Sequence, residues 1–167
     1  MPKNQRQNST PGFTVQTELL DQTNLRLLGE LNANPRITMS ALGRRVGMSA
    51  PAVTERVQRL ERAGVILGYR LEVDPAALGL PVTAFVRIRP APGQLPKIAE
   101  LARQLDQVSE CYRITGEDCF LVKVHAATVP QLEELLDQFL SYGQTVSSIV
   151  VSTPVPPRPL TLPGVGA

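Results

Sequence analysis

The chain has 167 residues, of which 43% are hydrophobic and none is Trp, and its formal net charge is +2. This length allows one ordinary domain or two small ones, and we expect two small ones. No apolar stretch is long enough to span a bilayer and the polar start has no apolar block, so we expect a cytoplasmic protein, neither membrane-bound nor secreted. Because Cys111 and Cys119 have no partners at metal-ligand spacing, we expect reduced thiols, no metal and no other cofactor.

The charge is unevenly distributed along the chain. Residues 36 to 75 contain seven Arg against four acidic residues, whereas residues 82 to 153 contain six basic against eight acidic residues. The N-terminal half is therefore the candidate for a polyanionic partner.

The first predicted helix begins after Asp21, whose side chain can cap its first turn. Leu25, Leu28 and Leu31 recur at helical spacing and predict its buried side. The helix is expected to end before Pro35, because the residue that precedes a proline is disfavoured in the α-helical conformation.

Two shorter segments follow and together predict a helix-turn-helix. Thr38 is placed to cap the second helix, which is expected to end at Gly47 because glycine readily adopts a positive φ. Ser49 is placed to cap the third helix, Pro51 stands near its start, and Gly64 ends it. Three helices with a tight turn between the last two form the helix-turn-helix pattern.

The third helix has two distinct sides on a helical wheel. Its apolar side, expected to face a core, is formed by Val53, Val57 and Leu60. Its other side carries Arg56, Arg59 and Arg62, with Ala52 and Glu55 among them. Small residues near a helix start allow close approach to a surface, and guanidinium groups bind phosphates and guanine edges, so this side predicts a helix for the DNA major groove. The alternative is a solvated charged face whose glutamates pair locally.

The stretch "VILGYRLEVDP" follows the third helix and predicts a short hairpin or wing. Gly68 and the pair Asp74-Pro75 are the expected turn and stop signals. Arg70 could contact a phosphate from this position.

From Pro81 onward the pattern predicts strand, helix, strand, strand, helix, strand. The predicted segments are residues 82–90, 94–105, 108–114, 119–126, 130–140 and 146–154. This order is the split βαβ, ferredoxin-like arrangement, so the predicted fold class is α+β. The predicted organisation is a flexible arm (1–17), a winged helix-turn-helix (18–75), a linker (76–81), the βαββαβ domain (82–154) and a proline-rich flexible tail (155–167).

Both faces of the predicted sheet carry apolar residues. Alternation along the strands assigns one face to the helices and leaves Phe85, Leu121, Ile149 and Val151 on the other. Because the two helices cannot cover that second face, we expect a homodimer in which another sheet covers it.

Two quoted stretches resemble one known family. The segment "LLDQTNLRLLGELNANPRITMSALGRRVGMSAPAVTERVQRLERAGVILGYRLEVDPAALG" resembles the N-terminal half of the Lrp/AsnC (feast/famine) transcription regulators, and "SECYRITGEDCFLVKV" resembles the hairpin of their effector domain. The resemblance implies a winged helix-turn-helix joined to a ligand-sensing domain, which forms dimers that often assemble into tetramers or octamers. It also implies binding to double-stranded DNA and a response to an amino acid or related metabolite.

The resemblance also implies which residues contact DNA and effector. It places Ser49, Pro51, Ala52, Glu55, Arg56 and Arg59 at the DNA, and Arg45 and Arg70 at its backbone.

In the effector loop, where the family has Gly, acidic, aromatic and Asp, this chain has Gly116, Glu117, Asp118 and Cys119. Val151 and Ser152 are expected nearby. Cys119 thus replaces a carboxylate that would suit a ligand ammonium. The alternative is that "TGED" is only a hairpin turn.

Two other functions remain open at this stage. The siroheme decarboxylases are similar to the same two-domain family, but they have His-rich and Trp-containing sequence around this hairpin, whereas this chain has a single His, His125, and no Trp. No nucleophilic triad, metal-ligand spacing or phosphate-binding loop is present, so we expect no enzyme. An effector-binding partner protein without DNA binding is the second alternative.

Overall fold

The computed structural model describes residues 19–163, so the predicted arm at residues 1–17 and the last four residues lie outside it. The chain divides into two compact units. Among the described residues, one unit consists of residues 19–70 and 157–163, and the other is Leu71–Pro156. The predicted linker overlaps a short 3₁₀ helix, Pro75–Leu78, which belongs to the second unit. Within residues 19–163, no helix is long and apolar enough to cross a membrane.

The N-terminal unit contains three helices: α1 (Gln22–Ala33), α2 (Met39–Val46) and α3 (Ala50–Arg62). Their shared core consists of Leu27, Leu31, Ile37, Leu42, Val53 and Val57. The prediction of the buried side of α3 is confirmed, since Val53, Val57 and Leu60 are all buried. In α1 the prediction is only partly right: Leu31 is buried, but the centre of the buried side is Leu27, while Leu25 and Leu28 are only partly buried.

The predicted starts of all three helices and the predicted end of α2 are confirmed by their capping residues. The side chains of Asp21, Thr38 and Ser49 accept from the backbone N–H groups of the first turns of α1, α2 and α3. Gly47 ends α2 in the left-handed conformation, with φ of 73°. Within α2, a Cβ atom on Gly43 would lie 2.5 Å from the backbone oxygen of Met48, so only glycine allows the turn to pack this closely.

Residues 65–75, predicted as a hairpin or wing, contain no assigned strand. A two-stranded ribbon needs its backbone groups paired, and an isolated hairpin is marginal in water. Tyr69 links this segment to α3, since its hydroxyl donates to the Glu61 carboxylate at 3.2 Å.

The second unit has the predicted βαββαβ order: β1 (Val82–Pro90), α4 (Leu95–Gln104), β2 (Val108–Arg113), β3 (Phe120–Ala126), α5 (Val129–Leu140) and β4 (Gly143–Ile149). The strands form one antiparallel sheet with the order β2-β3-β1-β4. One face packs against α4 and α5, in a core that contains Ala84, Val86, Ile88, Ile98, Phe120, Val122, Val124, Leu132, Leu135 and Phe139.

The other side of the sheet, here called the open face, departs from prediction at β4. Phe85 and Leu121 lie on it as expected, but Ile149 pairs with Ala84 and therefore shares the helix-covered face. The prediction for Ile149 is wrong; Val146, which pairs with Arg87, is the apolar residue that β4 contributes. Val151 lies beyond the strand.

The predicted bounds of β4 were also displaced toward the C-terminus. The strand begins at Gly143 and ends at Ile149, rather than covering residues 146–154. It pairs along β1, where the last backbone hydrogen bond runs from the Val150 N–H to the Thr83 oxygen. Pro81, two residues before Thr83 and just outside β1, has no N–H to continue the pairing.

Candidate nucleic-acid interface and effector loop

The exposed side of α3 brings together most residues predicted to contact DNA. Ser49, Pro51, Glu55 and Arg59 are exposed, and Ala52 is partly buried. Among residues 19–163, neither Arg59 nor Arg62 takes part in an ion pair. Their guanidinium groups are therefore available to an external anion.

Arg56 is held differently from Arg59. Its guanidinium donates to the Asp21 carboxylate at 2.8 Å and to the Asn24 amide oxygen at 3.0 Å. The hydrogen bond from Arg56, followed by that from the Asn24 backbone, lowers the pKa of Asp21. Asn24, which is buried, also donates from its side chain to the Leu19 backbone oxygen at 2.8 Å. Arg56 thus joins α3 to the start of α1.

The two arginines predicted at the DNA backbone differ in their surroundings. Arg45 forms an ion pair with Glu30 of α1, whereas Arg70 is exposed in the irregular segment after α3. Arg44, which the sequence analysis did not select, is also exposed in the last turn of α2. The sequence offered one clue to Arg44, which is that it directly precedes Arg45 in the last turn before Gly47.

The predicted effector loop joins β2 to β3 and contacts β1. Gly116 has φ of 110°, a conformation that suits glycine. Glu117 is paired with Arg89, and Asp118 lies 3.8 Å from Arg87 and 3.7 Å from Arg89. The sequence analysis missed both arginines as partners of this loop, although their alternation along β1 placed them on the open face.

Of the remaining effector-site candidates, Cys119 lies with the loop, whereas Val151 and Ser152 do not. The Cys119 sulfur lies 3.9 Å from the Gly116 oxygen and 3.8 Å from the Glu117 oxygen. Ile88 pairs with Phe120 at the loop end of the sheet, whereas Ala84 pairs with Ile149 toward the other end. Val151 and Ser152, which follow Ile149, therefore lie away from the loop of their own chain.

Comparisons with known proteins assign both units. A family model described as "Winged helix-turn-helix DNA-binding" matches residues 20–66, and one described as "Lrp/AsnC ligand binding domain" matches residues 83–160. The HTH-type transcriptional regulator LrpC of Bacillus subtilis is 36% identical over 133 residues, which cover 80% of this chain and 92% of that protein. The chain belongs to the Lrp/AsnC family of transcription regulators.

Solved structures of related Lrp/AsnC proteins have the same fold. The B. subtilis LrpC structure matches with a TM-score of 0.75 at 36% identity, covering 80% of this chain and 96% of that one. A Neisseria meningitidis transcriptional regulator in complex with L-Met matches with a TM-score of 0.78 at 27% identity, covering 86% and 97%. The LrpA regulator of Mycobacterium tuberculosis is 36% identical over 139 residues, covering 81% and 93%.

Family membership favours a transcription regulator over the siroheme-decarboxylase alternative, since the relatives LrpC and LrpA are named as transcription regulators. The surroundings of its single His agree with a structural role. His125 Nδ1 lies 3.0 Å from the Thr83 hydroxyl, and Nε2 lies 3.0 Å from the Ser109 hydroxyl. Burial, and then the charge of Lys123, lower the pKa of His125, whereas Glu110 opposes them.

The cysteines of this Lrp/AsnC protein are not grouped with other metal-binding side chains within residues 19–163. Cys111 and Cys119 are both free thiols, and burial raises the pKa of Cys111. In the part of the chain that the structure describes, no three His, Cys, Asp or Glu side chains are grouped to hold a metal ion.

Proposed function

We propose that this Lrp/AsnC regulator acts in the cytoplasm as a homodimer, assembling further into tetramers or octamers. In the proposed complex, α3 enters the major groove of double-stranded DNA, and the second unit responds to an amino acid or related small metabolite. The observation that carries the proposal is the exposed side of α3, where Arg59 and Arg62 have no ion-pair partner within residues 19–163. Unpaired guanidinium groups on a helix of a helix-turn-helix fit phosphates and base edges.

The proposed DNA contacts divide into two groups. Those on or beside α3 are Ser49, Pro51, Ala52, Glu55, Arg56 and Arg59; Arg45 and Arg70 are proposed at the DNA backbone. Arg59 is the strongest candidate for a base edge, because its side chain is exposed and unpaired among the described residues. To contact DNA, Arg56 would have to break its ion pair with Asp21, and Arg45 would have to break its ion pair with Glu30.

The proposed dimer rests on the open face of the sheet. Phe85 and Val146 are exposed there, and Tyr112 lies opposite Leu121 in the β2–β3 pairing. A second sheet packed against this face would remove these apolar side chains from water. A symmetric dimer would then present two copies of α3 to a palindromic DNA site.

The proposed effector site is the loop between β2 and β3, with Gly116, Glu117, Asp118 and Cys119. Since Val151 and Ser152 lie toward the other end of the sheet, they could join this site only from a neighbouring subunit. The L-Met complex of the Neisseria relative supports the class of ligand.

The DNA proposal is tested by fluorescence anisotropy on DNA from upstream of the protein's own gene. Binding should weaken with salt, with a log–log slope of about −0.9 per neutralised phosphate. Arg59→Ala should reduce affinity by about 1–3 kcal/mol and relax specificity at one position, as expected for a base contact. Arg103→Ala is the matched control, because Arg103 lies on α4 and pairs with Glu100.

Two results would contradict the DNA proposal. One is affinity that does not respond to salt, and the other is Arg59→Ala binding as tightly as the wild type. An equal loss of affinity on every DNA sequence would instead place Arg59 at the phosphate backbone.

A further inference from the structure

His125 stands between two hydroxyl groups on the open face of the sheet. It pairs with Thr83 across β3 and β1, on the same side as Phe85 and Lys123. Its Nδ1 lies 3.0 Å from the Thr83 hydroxyl, and its Nε2 lies 3.0 Å from the Ser109 hydroxyl of β2. The imidazole therefore belongs to the surface that the proposed dimer covers.

The contacts of His125 fit a neutral ring. Ser109 has one hydroxyl proton, which it donates to the Lys123 backbone oxygen at 3.3 Å, so it accepts a hydrogen bond from Nε2–H. Nδ1 then carries no proton and accepts from the Thr83 hydroxyl. Both ring nitrogens are thus satisfied without a charge. Protonation would turn Nδ1 into a donor, and the Thr83 hydroxyl would have to direct its proton elsewhere.

The charged groups around His125 also favour the neutral ring. Lys123 lies two residues before it on the same face, and Glu110 of β2, whose charge favours protonation, is paired with Lys123 at 3.2 Å. On β1 the first charged residue after Thr83 is the cationic Arg87, and α4 and α5 pack on the other side of the sheet. Burial, followed by the charge of Lys123, outweighs Glu110 and lowers the pKa of His125 below its ordinary 6.5.

We propose that His125 makes the dimer sensitive to pH, because a second sheet can cover the open face when this imidazole is neutral and is destabilised there when it is charged. This inference rests on the proposed function, in which the open face forms the dimer. Covering the ring removes it from water, and removing a charge from water is costly. The neutral chain therefore dimerises, and protonation dissociates the dimer.

The sign of the pH dependence follows from this difference in hydration. Covering the ring lowers the pKa of His125 in the dimer further below its value in the monomer, so the dimer binds fewer protons. Association is then strongest above the pKa of the monomer and weakens as pH falls through it. Because a symmetric dimer covers two rings, each pH unit below that pKa weakens association by up to about a hundredfold.

The test is sedimentation equilibrium of the full chain between pH 5 and pH 8. His125 is the single histidine of the sequence, and no other type of side chain has its ordinary pKa in this range. The dissociation constant of the wild-type dimer should rise at least about tenfold from pH 8 to pH 5. In His125→Gln, which retains hydrogen-bonding groups but does not titrate, it should change less than about twofold.

A relocated histidine is the matched control. His125→Gln combined with Gln104→His retains one histidine but moves it to an exposed position on α4, away from the open face. This double variant should be as insensitive to pH as His125→Gln alone. NMR titration of the single wild-type imidazole gives a second measurement, since its pKa should be lower in a concentrated, dimeric sample than in a dilute, monomeric one.

The other outcomes separate this inference from the proposed dimer. A wild-type dimer that does not weaken in acid, or an equal response to pH in His125→Gln, overturns the inference and leaves the dimer intact. A chain that is monomeric at pH 8, or a dimer that persists in Leu121→Asp at pH 8, overturns the open-face dimer and this inference with it. Circular dichroism at each pH separates dissociation from unfolding.

Discussion

At the scale of single residues, the structure changes the expected role of Arg56 more than that of any other predicted DNA contact. It stands on the basic side of α3, yet its guanidinium is shared between Asp21 and Asn24 of the segment that begins α1. Asp21 serves two purposes, since it also caps α1 by accepting from the Asn24 backbone N–H. We infer that Arg56 positions α3 against α1, while Arg59 is the more available group for DNA.

Arg56→Gln should lower the free energy of unfolding at neutral pH by about 0.2–1 kcal/mol, the range for an exposed charge pair. Because the folded state depresses the pKa of Asp21 below its ordinary 3.8, this stabilisation is present above that pH and is lost as pH falls through the folded-state pKa. Urea unfolding of variant and wild type should therefore converge in strongly acidic buffer. Arg62→Gln is the control, and a stability gap that does not change with pH would refute the pairing.

At the scale of elements, the helix-turn-helix depends on a close approach inside α2. Helix propensity alone predicts that Gly43→Ala stabilises α2 by about 1 kcal/mol. A Cβ at this position would instead meet the Met48 backbone oxygen at 2.5 Å, and backbone cannot move aside as a flexible side chain can.

We expect Gly43→Ala to destabilise the N-terminal unit by about 1–3 kcal/mol, as overpacking does, and to weaken DNA binding by displacing α3. Thermal unfolding followed by circular dichroism measures the first effect, and anisotropy measures the second. Ser40→Ala, at an exposed position of the same helix, is the control. An increase in melting temperature for Gly43→Ala would show that the turn can relax.

At the scale of the whole molecule, the open face connects assembly with DNA binding. Leu121→Asp should weaken the proposed dimer, because it replaces an apolar side chain beside Tyr112 with a carboxylate on the face that the second sheet would cover. DNA affinity should fall as well, since two linked half-site contacts gain from effective concentration. Light scattering gives the mass, and Leu160→Asp, at a residue that is 87% exposed in the tail, is the control. An unchanged mass for Leu121→Asp would place the dimer contact elsewhere.

The sequence by itself determined the features that depend on neighbouring residues. Asp21, Thr38 and Ser49 cap their helices as expected, since a cap needs only a side chain within three residues of its N–H. The alternation of β1 and β3 correctly separated the helix-covered face, because side chains on a strand point to alternate sides whatever its partners. Both units and the exposed basic side of α3 were predictable for the same reason.

Only the tertiary structure decided which distant groups meet. The face of Ile149 depended on the register of β4 against β1, and a shift of one residue reverses every side chain of a strand. The partners of Arg56 and Arg89 lie 35 and 28 residues away along the chain, so no local pattern could reveal them. Periodicity specifies faces and ends, whereas register and long-range ion pairs follow from the packing of whole elements.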